Sequence, residues 1–186
     1  NQTGVVLAFN GEIYNFKELR KKYNLSSSIK SDTRVILEIY LKNGINSISE
    51  LDGMFAICIW DPRSQITYLI RDRFGIKPLY YYQKEGLFIF GSEMKSITPF
   101  INKIEKSKNF DSFTKSIFNY ESTEECVIEG IKKLKAGNYL ILENKNIDIK
   151  KYWNTLDHIG VAKNNYDEQV EEWRYLFLDS VKLRMR

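Results

Sequence analysis

Histidine and cysteine are scarce in this chain of 186 residues, and their scarcity limits the chemistry that it can perform. His158 is the only histidine, so a Ser-His-Asp or Cys-His triad has one candidate imidazole, in a polar stretch typical of a linker. Cys58 and Cys126 form no C-x-x-C pair, which argues against a disulfide framework or a structural zinc site and fits a reducing cytosol. We therefore predict a cytoplasmic protein with no metal site.

Neither cysteine has the surroundings of a nucleophile. Cys58 lies within an apolar run, where a free cysteine usually behaves as a small hydrophobic side chain. Cys126 follows Glu124 and Glu125, whose negative charges should raise the pKa of the neighbouring thiol rather than activate it. Local sequence therefore nominates no nucleophilic thiol.

Long apolar runs and dense charge runs are also missing. No apolar segment approaches the ~20 residues needed to span a bilayer, and the chain opens with neither an initiator Met nor a signal region. The net charge of +4 arises from 28 basic and 24 acidic residues spread along the chain. We predict neither a membrane nor a nucleic-acid partner. The direct opening at Asn1 into an apolar strand leads us to expect a fragment.

Strand patterns cluster in the middle of the chain, with helical patterns before and after them. This order favours a layered α+β arrangement over alternating βαβ units. The predicted strands are residues 5–9, 54–60, 66–70, 79–83, 87–90, 139–142 and 147–153. The predicted helices are residues 16–22, a helix from residues 31–33 to the Asn43-Gly44 stop, and a final amphipathic helix carrying Val170, Trp173, Leu176, Phe177 and Val181.

The first strand is predicted to be buried and to end in a turn at Asn10-Gly11. A strand that stops there can present a side-chain amide and an unhindered backbone N–H to one point, as an oxyanion requires. From the dipeptide alone, an ordinary turn is the favoured interpretation. Glu12 and Asp32 are carboxylates suited to a ligand's ammonium group, although acidic residues beside turns and helix starts are common.

Several motifs, in order, resemble the class II glutamine amidotransferase domain of asparagine synthetases. The resemblance covers nearly the whole chain and is loosest over residues 101–125. Related amidotransferases that make glucosamine phosphate or phosphoribosylamine keep the Asn-Gly pair but usually not the Glu-Ile-Tyr-Asn continuation. The matching segments are residues 7–15 (LAFNGEIYN), 17–20 (KELR), 31–33 (SDT), 51–56 (LDGMFA), 71–81 (RDRFGIKPLYY), 92–95 (SEMK) and 133–137 (KLKAG).

The resemblance implies an α+β fold, namely an Ntn-hydrolase-type αββα sandwich, incomplete here at its N-terminus. The family's nucleophile is an N-terminal cysteine whose own α-amine can serve as the base, which removes the need for a histidine. That cysteine is not in this sequence, so we expect the chain alone to be inactive. The resemblance further implies that Asn10 and Gly11 form the oxyanion hole and bind glutamine, with Glu12 and Asp32 holding the substrate ammonium.

The same resemblance divides the chain. Residues 1–153 are expected to be a partial amidotransferase domain, 154–165 a linker, and 166–186 the first helix of an ATP-dependent synthetase domain. That synthetase domain would be the partner that uses the ammonia to convert aspartate to asparagine. ATP and Mg²⁺ are expected there, and no cofactor is expected in this chain. Whether the protein forms a homodimer, and which carboxylate is the true amide acceptor, stay open.

One residue departs from the family pattern, and one charged motif within that pattern is given a structural role. The family commonly has an acidic residue where this chain has Arg34, which on a helix would point away from Asp32. The Arg71-Asp72-Arg73 motif is interpreted as a structural charged turn that pins neighbouring strands, since ion-pair networks are often purely structural. The alternative function is a non-catalytic amidotransferase-like scaffold of another amide-forming enzyme, such as a beta-lactam synthetase.

Overall fold

The computed structural model describes residues 3–121 and 123–185. Its strands are β1 Val6–Ile13, β2 Gly53–Asp61, β3 Ile66–Arg71, β4 Tyr80–Lys84, β5 Leu87–Gly91, β6 Ile131–Lys133, β7 Asn138–Glu143 and β8 Asn146–Lys151. Its α-helices are α1 Phe16–Lys22, α2 Asp32–Asn43, α3 Phe110–Lys115, α4 Ile117–Glu121 and α5 Tyr166–Arg184. The predicted cluster of strands between helical segments is confirmed.

Two antiparallel sheets form the centre of the molecule. The larger sheet has the strand order β1-β2-β3-β7-β8, and the smaller sheet has the order β5-β4-β6. Every strand pairing within the described sheets is antiparallel. The layered α+β prediction is therefore correct, and the alternating βαβ arrangement is excluded for this part of the chain.

The side chains of β2 alternate between two apolar cores, as a strand covered on both faces requires. Phe55 and Ile57 are fully buried in a cluster with Ile36 and Ile39 of helix α2. Ala56 and Cys58 point the other way, into the core between the two sheets. The near-continuous apolar run of this strand thus follows from its cover of helices on one face and of a second sheet on the other.

The smaller sheet separates the inter-sheet core from a third apolar core. Tyr81 of β4 packs with Leu140 of β7 between the sheets. Its neighbour Tyr82 packs on the opposite face with Ile97, and Tyr120 of helix α4 joins that cluster. Helices, sheet, sheet and helices therefore follow one another, which is the predicted αββα sandwich.

Helix α2 holds Asp32 at the edge of the larger sheet. It begins at Asp32 and ends at Asn43, and the φ of 65° of Gly44 and its backbone bond to the Tyr40 carbonyl close the helix as predicted. Its buried face packs in the core beneath the larger sheet and consists of Val35, Ile36, Ile39 and Tyr40. Because these side chains recur at helical spacing, their burial fixes the rotation of the helix and hence the position of Asp32.

The loop after β3 is organised by the buried side chains of Arg71 and Asp72. The Asp72 carboxylate accepts hydrogen bonds of 2.9–3.2 Å from four backbone N–H groups, those of Phe55, Phe74, Ile76 and Lys77. The Arg71 guanidinium donates bonds of 2.6–2.9 Å to three carbonyl oxygens, those of Gly75, Lys77 and Leu134. These bonds tie β2, the loop and the strand region after β6 together, which confirms the interpretation of a structural charged turn.

Strand β1 corrects two predictions. Asn10 and Gly11 form no turn, because they lie within β1 opposite Ala56 and Phe55 of β2. The strand is also buried on one face only, because Leu7 and Phe9 pack against the core while Val6 is 58% accessible to solvent. It is an edge strand whose described neighbour is β2 alone. Pairing along β2 therefore overrides the local preference of Asn-Gly for a turn.

The C-terminal segment agrees with the sequence except at one strand end. Strand β8 stops at Lys151, two residues before the predicted end, since the N–H groups of Tyr152 and Trp153 both donate to the Gly137 carbonyl. Residues 154–165 contain a 3₁₀ turn and otherwise irregular backbone. Helix α5 follows as predicted, while Arg186, the last residue of the predicted helix, lies outside the described residues.

Helix α5 is exposed along its length, and Arg184 near its end lies over the ring of Tyr14, 5.0 Å from the centroid. Among the described helices, none has both the length and the apolar character that crossing a bilayer requires.

Candidate functional site

A cavity of about 160 Å³ opens between the two sheets where their edge strands β1 and β5 lie side by side. Its walls are mainly apolar, and Asn10 and Ser92 contribute the polar side chains at its opening. A larger hollow, of about 390 Å³ beside Phe74 and Lys135, contains none of the four predicted site residues. The inter-sheet cavity is therefore the candidate site.

Asn10 is fixed by both sheets. Its backbone is paired with Ala56 of β2, and its side-chain Nδ2 donates a hydrogen bond of 3.1 Å to the Ser92 hydroxyl, just after β5. A carboxamide nitrogen carries two N–H donors. The described part of the chain offers no acceptor to the second donor of Asn10, so a ligand can accept a hydrogen bond from it.

Gly11 lies against the backbone of β2. A Cβ atom added to it would stand 2.0 Å from the Met54 carbonyl oxygen and 2.8 Å from the Phe55 Cα. Backbone N–H groups alternate in direction along an antiparallel strand. Because the Ile13 N–H points away from β2 to the Asp32 carboxylate, the N–H of Gly11, two residues earlier, points to the same free edge.

Asp32 and Glu12 lie at the end of the same strand. The Asp32 carboxylate accepts one bond of 3.2 Å from the Ile13 N–H and another of 2.6 Å from the Thr33 N–H, so it ties the start of α2 to β1. Glu12 is half-buried, shares the face of β1 that carries Asn10, and makes no hydrogen bond or ion pair with the described residues. The structure thus brings all four predicted site residues to one edge of the larger sheet.

Two residues discussed in the sequence analysis, Arg34 and His158, lie away from the candidate site. Arg34 forms an ion pair of 2.6 Å with Glu38, one helical turn further along α2, and so points away from Asp32 as predicted. The exposed His158 ring stacks on the ring of Trp153, with 3.8 Å between the ring centroids. It does not line the cavity. Neither residue takes part in the candidate site.

The two cysteines differ in their relation to the cavity. Cys58 lines it, but burial raises the pKa of its thiol to about 11, which keeps the thiol protonated at neutral pH. Cys126 is buried in the third core, on the far side of the smaller sheet from the cavity. Neither thiol combines access to Asn10 with the depressed pKa of a nucleophile.

Ser92 is the cavity residue to which sequence reasoning gave no role. It belonged to a motif of the family resemblance, but its contact with Asn10 spans 82 positions of the chain. The available sign was its position two residues after a predicted strand, where a side chain can reach the edge of a sheet. That position alone does not say which strand lies opposite.

The chemistry that this arrangement allows follows from its groups. Asn10 and Gly11 offer two N–H donors to a developing oxyanion, Glu12 and Asp32 offer negative charge to an ammonium group, and the apolar walls suit a short methylene chain. Within the described residues no group of three or more His, Cys, Asp or Glu side chains is placed to hold a metal ion.

Comparison with known proteins gives a consistent result. Residues 1–153 match the family model described as a glutamine amidotransferase domain. The chain is 34% identical to asparagine synthetase [glutamine-hydrolyzing] 2 of Bacillus subtilis, over 97% of the chain and 26% of that protein. It is 32% identical to asparagine synthetase B [glutamine-hydrolyzing] of Escherichia coli, over 95% of the chain and 27% of that protein.

A solved structure shares the fold. It is the glutamine phosphoribosylpyrophosphate amidotransferase of B. subtilis, which superposes with a TM-score of 0.55 at 20% identity over 80% of this chain and 29% of that one. The chain spans about a third or less of the length of the curated relatives that it matches.

Proposed function

The chain belongs to the glutamine amidotransferase domain family, and we propose on that premise that it forms the glutamine-hydrolysing, ammonia-supplying part of an asparagine synthetase. The proposed reaction cleaves the side-chain amide of glutamine and passes the ammonia to an ATP-dependent step that converts aspartate to asparagine. The proposed location is the cytoplasm.

The observation that carries this proposal is the edge of β1. The Asn10 side chain lines the inter-sheet cavity, and the backbone N–H of Gly11, the next residue, points to the free edge of the same strand. Attack on an amide carbonyl places negative charge on its oxygen, and fixed N–H donors lower the energy of that intermediate. Asp32 and Glu12, at the same edge, supply the charge that would hold the α-ammonium group of glutamine.

We propose that the nucleophile is an N-terminal cysteine of a longer protein, as the family resemblance implies, with its own α-amine as the base. This assignment fits the properties of the two cysteines present. Cys58 has a thiol with a raised pKa, and Cys126 lies behind the smaller sheet. The 186-residue chain alone should therefore release no ammonia from glutamine.

The proposed synthetase part would follow the amidotransferase part in the same polypeptide. The short coverage of the relatives, 26% and 27% of their lengths, is consistent with such a protein. Residues 166–186 would then begin the synthetase domain, residues 154–165 would link the two, and ATP and Mg²⁺ would bind in the synthetase domain.

The alternative is a scaffold domain that has kept the fold but hydrolyses no glutamine. Ammonia release from glutamine by the protein as encoded separates the two functions. Glutamine-dependent ammonia release supports the proposal, whereas a protein that uses only added ammonia, or none, supports the scaffold.

The oxyanion assignment is tested by Asn10→Ala in the same protein. Loss of one donor should lower kcat for glutamine by about 10²–10³, with little change in KM, because the donor acts mainly after charge develops. Synthesis of asparagine from added ammonia should be retained, since that route bypasses glutamine. A kcat within a few-fold of the unsubstituted protein would remove Asn10 from the catalytic machinery.

The ammonium site is tested by Asp32→Asn, which removes the charge but keeps an oxygen acceptor for the Ile13 N–H. A clamp that contacts substrate and transition state alike should raise KM for glutamine and leave kcat nearly unchanged. An unchanged KM would show that Asp32 serves only to join α2 to β1.

A further inference from the structure

We propose that Ser92 is a positioning residue for the oxyanion donor Asn10, an inference that rests on the proposed function. Ser92 would act through its hydrogen bond, by fixing the plane of the Asn10 carboxamide so that one N–H faces Ser92 and the other faces the cavity.

The hydrogen bond between Asn10 and Ser92 joins the two sheets, and each residue is held in place by the pairing of its own sheet. Asn10 is held in β1 by its pairing with Ala56, and Ser92 follows Gly91, which is paired with Tyr80 of β4. The 3.1 Å bond between their side chains therefore crosses from the larger sheet to the smaller sheet at the cavity opening. Both ends are anchored by backbone ladders, so the bond has a defined direction.

The segment after β5 adds to this rigidity. A Cβ atom on Gly91 would lie 2.3 Å from the Ser96 hydroxyl oxygen, so the chain folds tightly back on itself there. The Ser96 hydroxyl donates a bond of 2.7 Å to the Glu93 carbonyl and closes the turn. Ser92 is thus presented by a short, internally bonded turn.

A carboxamide needs such a partner because its terminal torsion is broad, with no steep preference for one plane. Oxyanion stabilisation depends on donors that are already aimed at the place where charge develops. Without Ser92, the Asn10 amide should sample orientations that turn its second N–H away from the cavity. Because the bond is exposed to solvent, it should contribute little to the stability of the fold.

The test uses the protein as encoded, with glutamine as substrate and ammonia release as the readout. Ser92→Ala should lower kcat by about tenfold with KM within twofold, and Ser92→Thr, which keeps the hydroxyl, should restore most of the loss. Thr98→Val is the matched control, since it removes a hydroxyl that bonds the Lys95 carbonyl in the following turn and touches neither Asn10 nor Ser92, and its kcat should stay near that of the unsubstituted protein.

A double substitution decides whether Ser92 acts through Asn10. In an Asn10→Ala background, adding Ser92→Ala should lower kcat no further, because the group that Ser92 orients is already absent. A further tenfold loss there, an unchanged kcat for Ser92→Ala alone, or an equal loss for Thr98→Val would each overturn the inference. If the unsubstituted protein released no ammonia, the proposed function would fail and this inference with it, whereas the preceding outcomes leave the proposed function intact.

Discussion

At the scale of single residues, Gly11 is constrained by its neighbours across the strand pair. The space beside its Cα is filled by the Met54 carbonyl, 2.0 Å from where a Cβ would stand. The backbone has little freedom to yield, because it is paired to β2 on both sides of this position. The glycine therefore has a structural reason for its presence in addition to the proposed role of its N–H.

We expect Gly11→Ala to lower the free energy of unfolding by roughly 2–4 kcal/mol, because a methyl group must displace backbone atoms. Urea unfolding followed by circular dichroism measures this change. Gly160→Ala is the control, since no atom lies within 4 Å of an added Cβ at Gly160 and its φ is outside the left-handed region. It should change the free energy of unfolding by no more than about 0.5 kcal/mol. Equal losses at the two positions would contradict the steric explanation.

A second residue-scale feature is the buried carboxylate of Asp61 at the end of β2. Arg63 donates to both of its oxygens, with Nε at 2.8 Å and Nη2 at 2.5 Å, and the Tyr40 hydroxyl donates at 2.9 Å. The hydrogen bonds from Arg63 are the main cause that lowers the pKa of Asp61 to about 2. Burial acts in the opposite direction, because it disfavours the charged carboxylate.

This low pKa predicts a stability change in acid. The unfolded carboxyl has a pKa of about 3.9, so the unfolded state binds the proton more tightly than the folded state does. The stabilising contribution is complete above about pH 4 and disappears as the pH falls towards 2. It amounts to about 2 kcal/mol.

Urea unfolding between pH 2 and pH 6 should show this loss in the unsubstituted chain and a flatter profile in Asp61→Asn. Arg63→Gln should flatten the profile more than Tyr40→Phe, because the guanidinium is the larger cause. A profile for Asp61→Asn as steep as the original would show that another group governs acid stability.

Residue-scale reasoning from sequence nominates groups that a local motif marks and misses those defined by distant partners. Asn10, Gly11, Glu12 and Asp32 were nominated through a motif, and the structure brings them to one edge of a sheet. Ser92 received no role, because its bond to Asn10 depends on how two sheets stack, which no local pattern of the sequence records.

At the scale of elements, the Asp72 carboxylate organises the loop after β3 by accepting hydrogen bonds from four backbone N–H groups. The loop turns away from β3, so its backbone has no strand to pair with. The Asp72 carboxylate accepts hydrogen bonds from its N–H groups, and the Arg71 guanidinium donates hydrogen bonds to its carbonyl groups. Loop backbone buried without such bonds is strongly destabilising. The pair thus determines where β3 ends and how the chain approaches β4.

We expect Asp72→Ala to lower the free energy of unfolding by about 3–5 kcal/mol, since four backbone N–H groups lose their acceptor in a buried site. Asp52→Ala is the control, because Asp52 is exposed and lies in a neighbouring loop. Its effect should stay within about 0.5 kcal/mol. A loss for Asp72→Ala no greater than that of the control would mean that water replaces the carboxylate.

Element boundaries were predictable where a local rule decides them. Helix α2 ends at Asn43 because Gly44, with a positive φ of 65°, closes it, and the apolar spacing of the helix fixes its buried face. Strand β1 was predicted too short because Asn10-Gly11 favours a turn in isolation. In the protein, β2 supplies a partner along the whole of β1, and the energy of that pairing decides the conformation.

At the scale of the whole molecule, the order of layers was deduced from the family resemblance, while the residues in each layer follow from alternation along the strands. Tyr81 and Tyr82 are adjacent in the sequence but lie in different cores. Sequence alone gives that alternation without saying which face is which, because both faces of β4 are covered by apolar groups.

Helix α5 is the part of the molecule whose apolar face the described structure leaves in solvent. Trp173 and Phe177 stack at 5.2 Å between ring centroids and are 64% and 53% exposed. An exposed aromatic pair on a helix is a site for association, because burying it removes apolar surface from water. Under the proposed function, this face packs against the synthetase part of the longer protein.

The same pair of substitutions should therefore have opposite effects in two contexts. In the 186-residue chain, Trp173→Gln with Phe177→Gln should reduce self-association in light scattering and reduce binding of the dye ANS, because the associating surface becomes polar. In the protein as encoded, these substitutions should lower the free energy of unfolding, because the face is buried there. A control pair on the same helix, Glu171→Gln with Arg174→Gln, removes an exposed ion pair of 3.2 Å and should change neither measurement appreciably. If the aromatic pair proved equally dispensable in the longer protein, α5 would be a solvent-exposed helix rather than the start of a second domain.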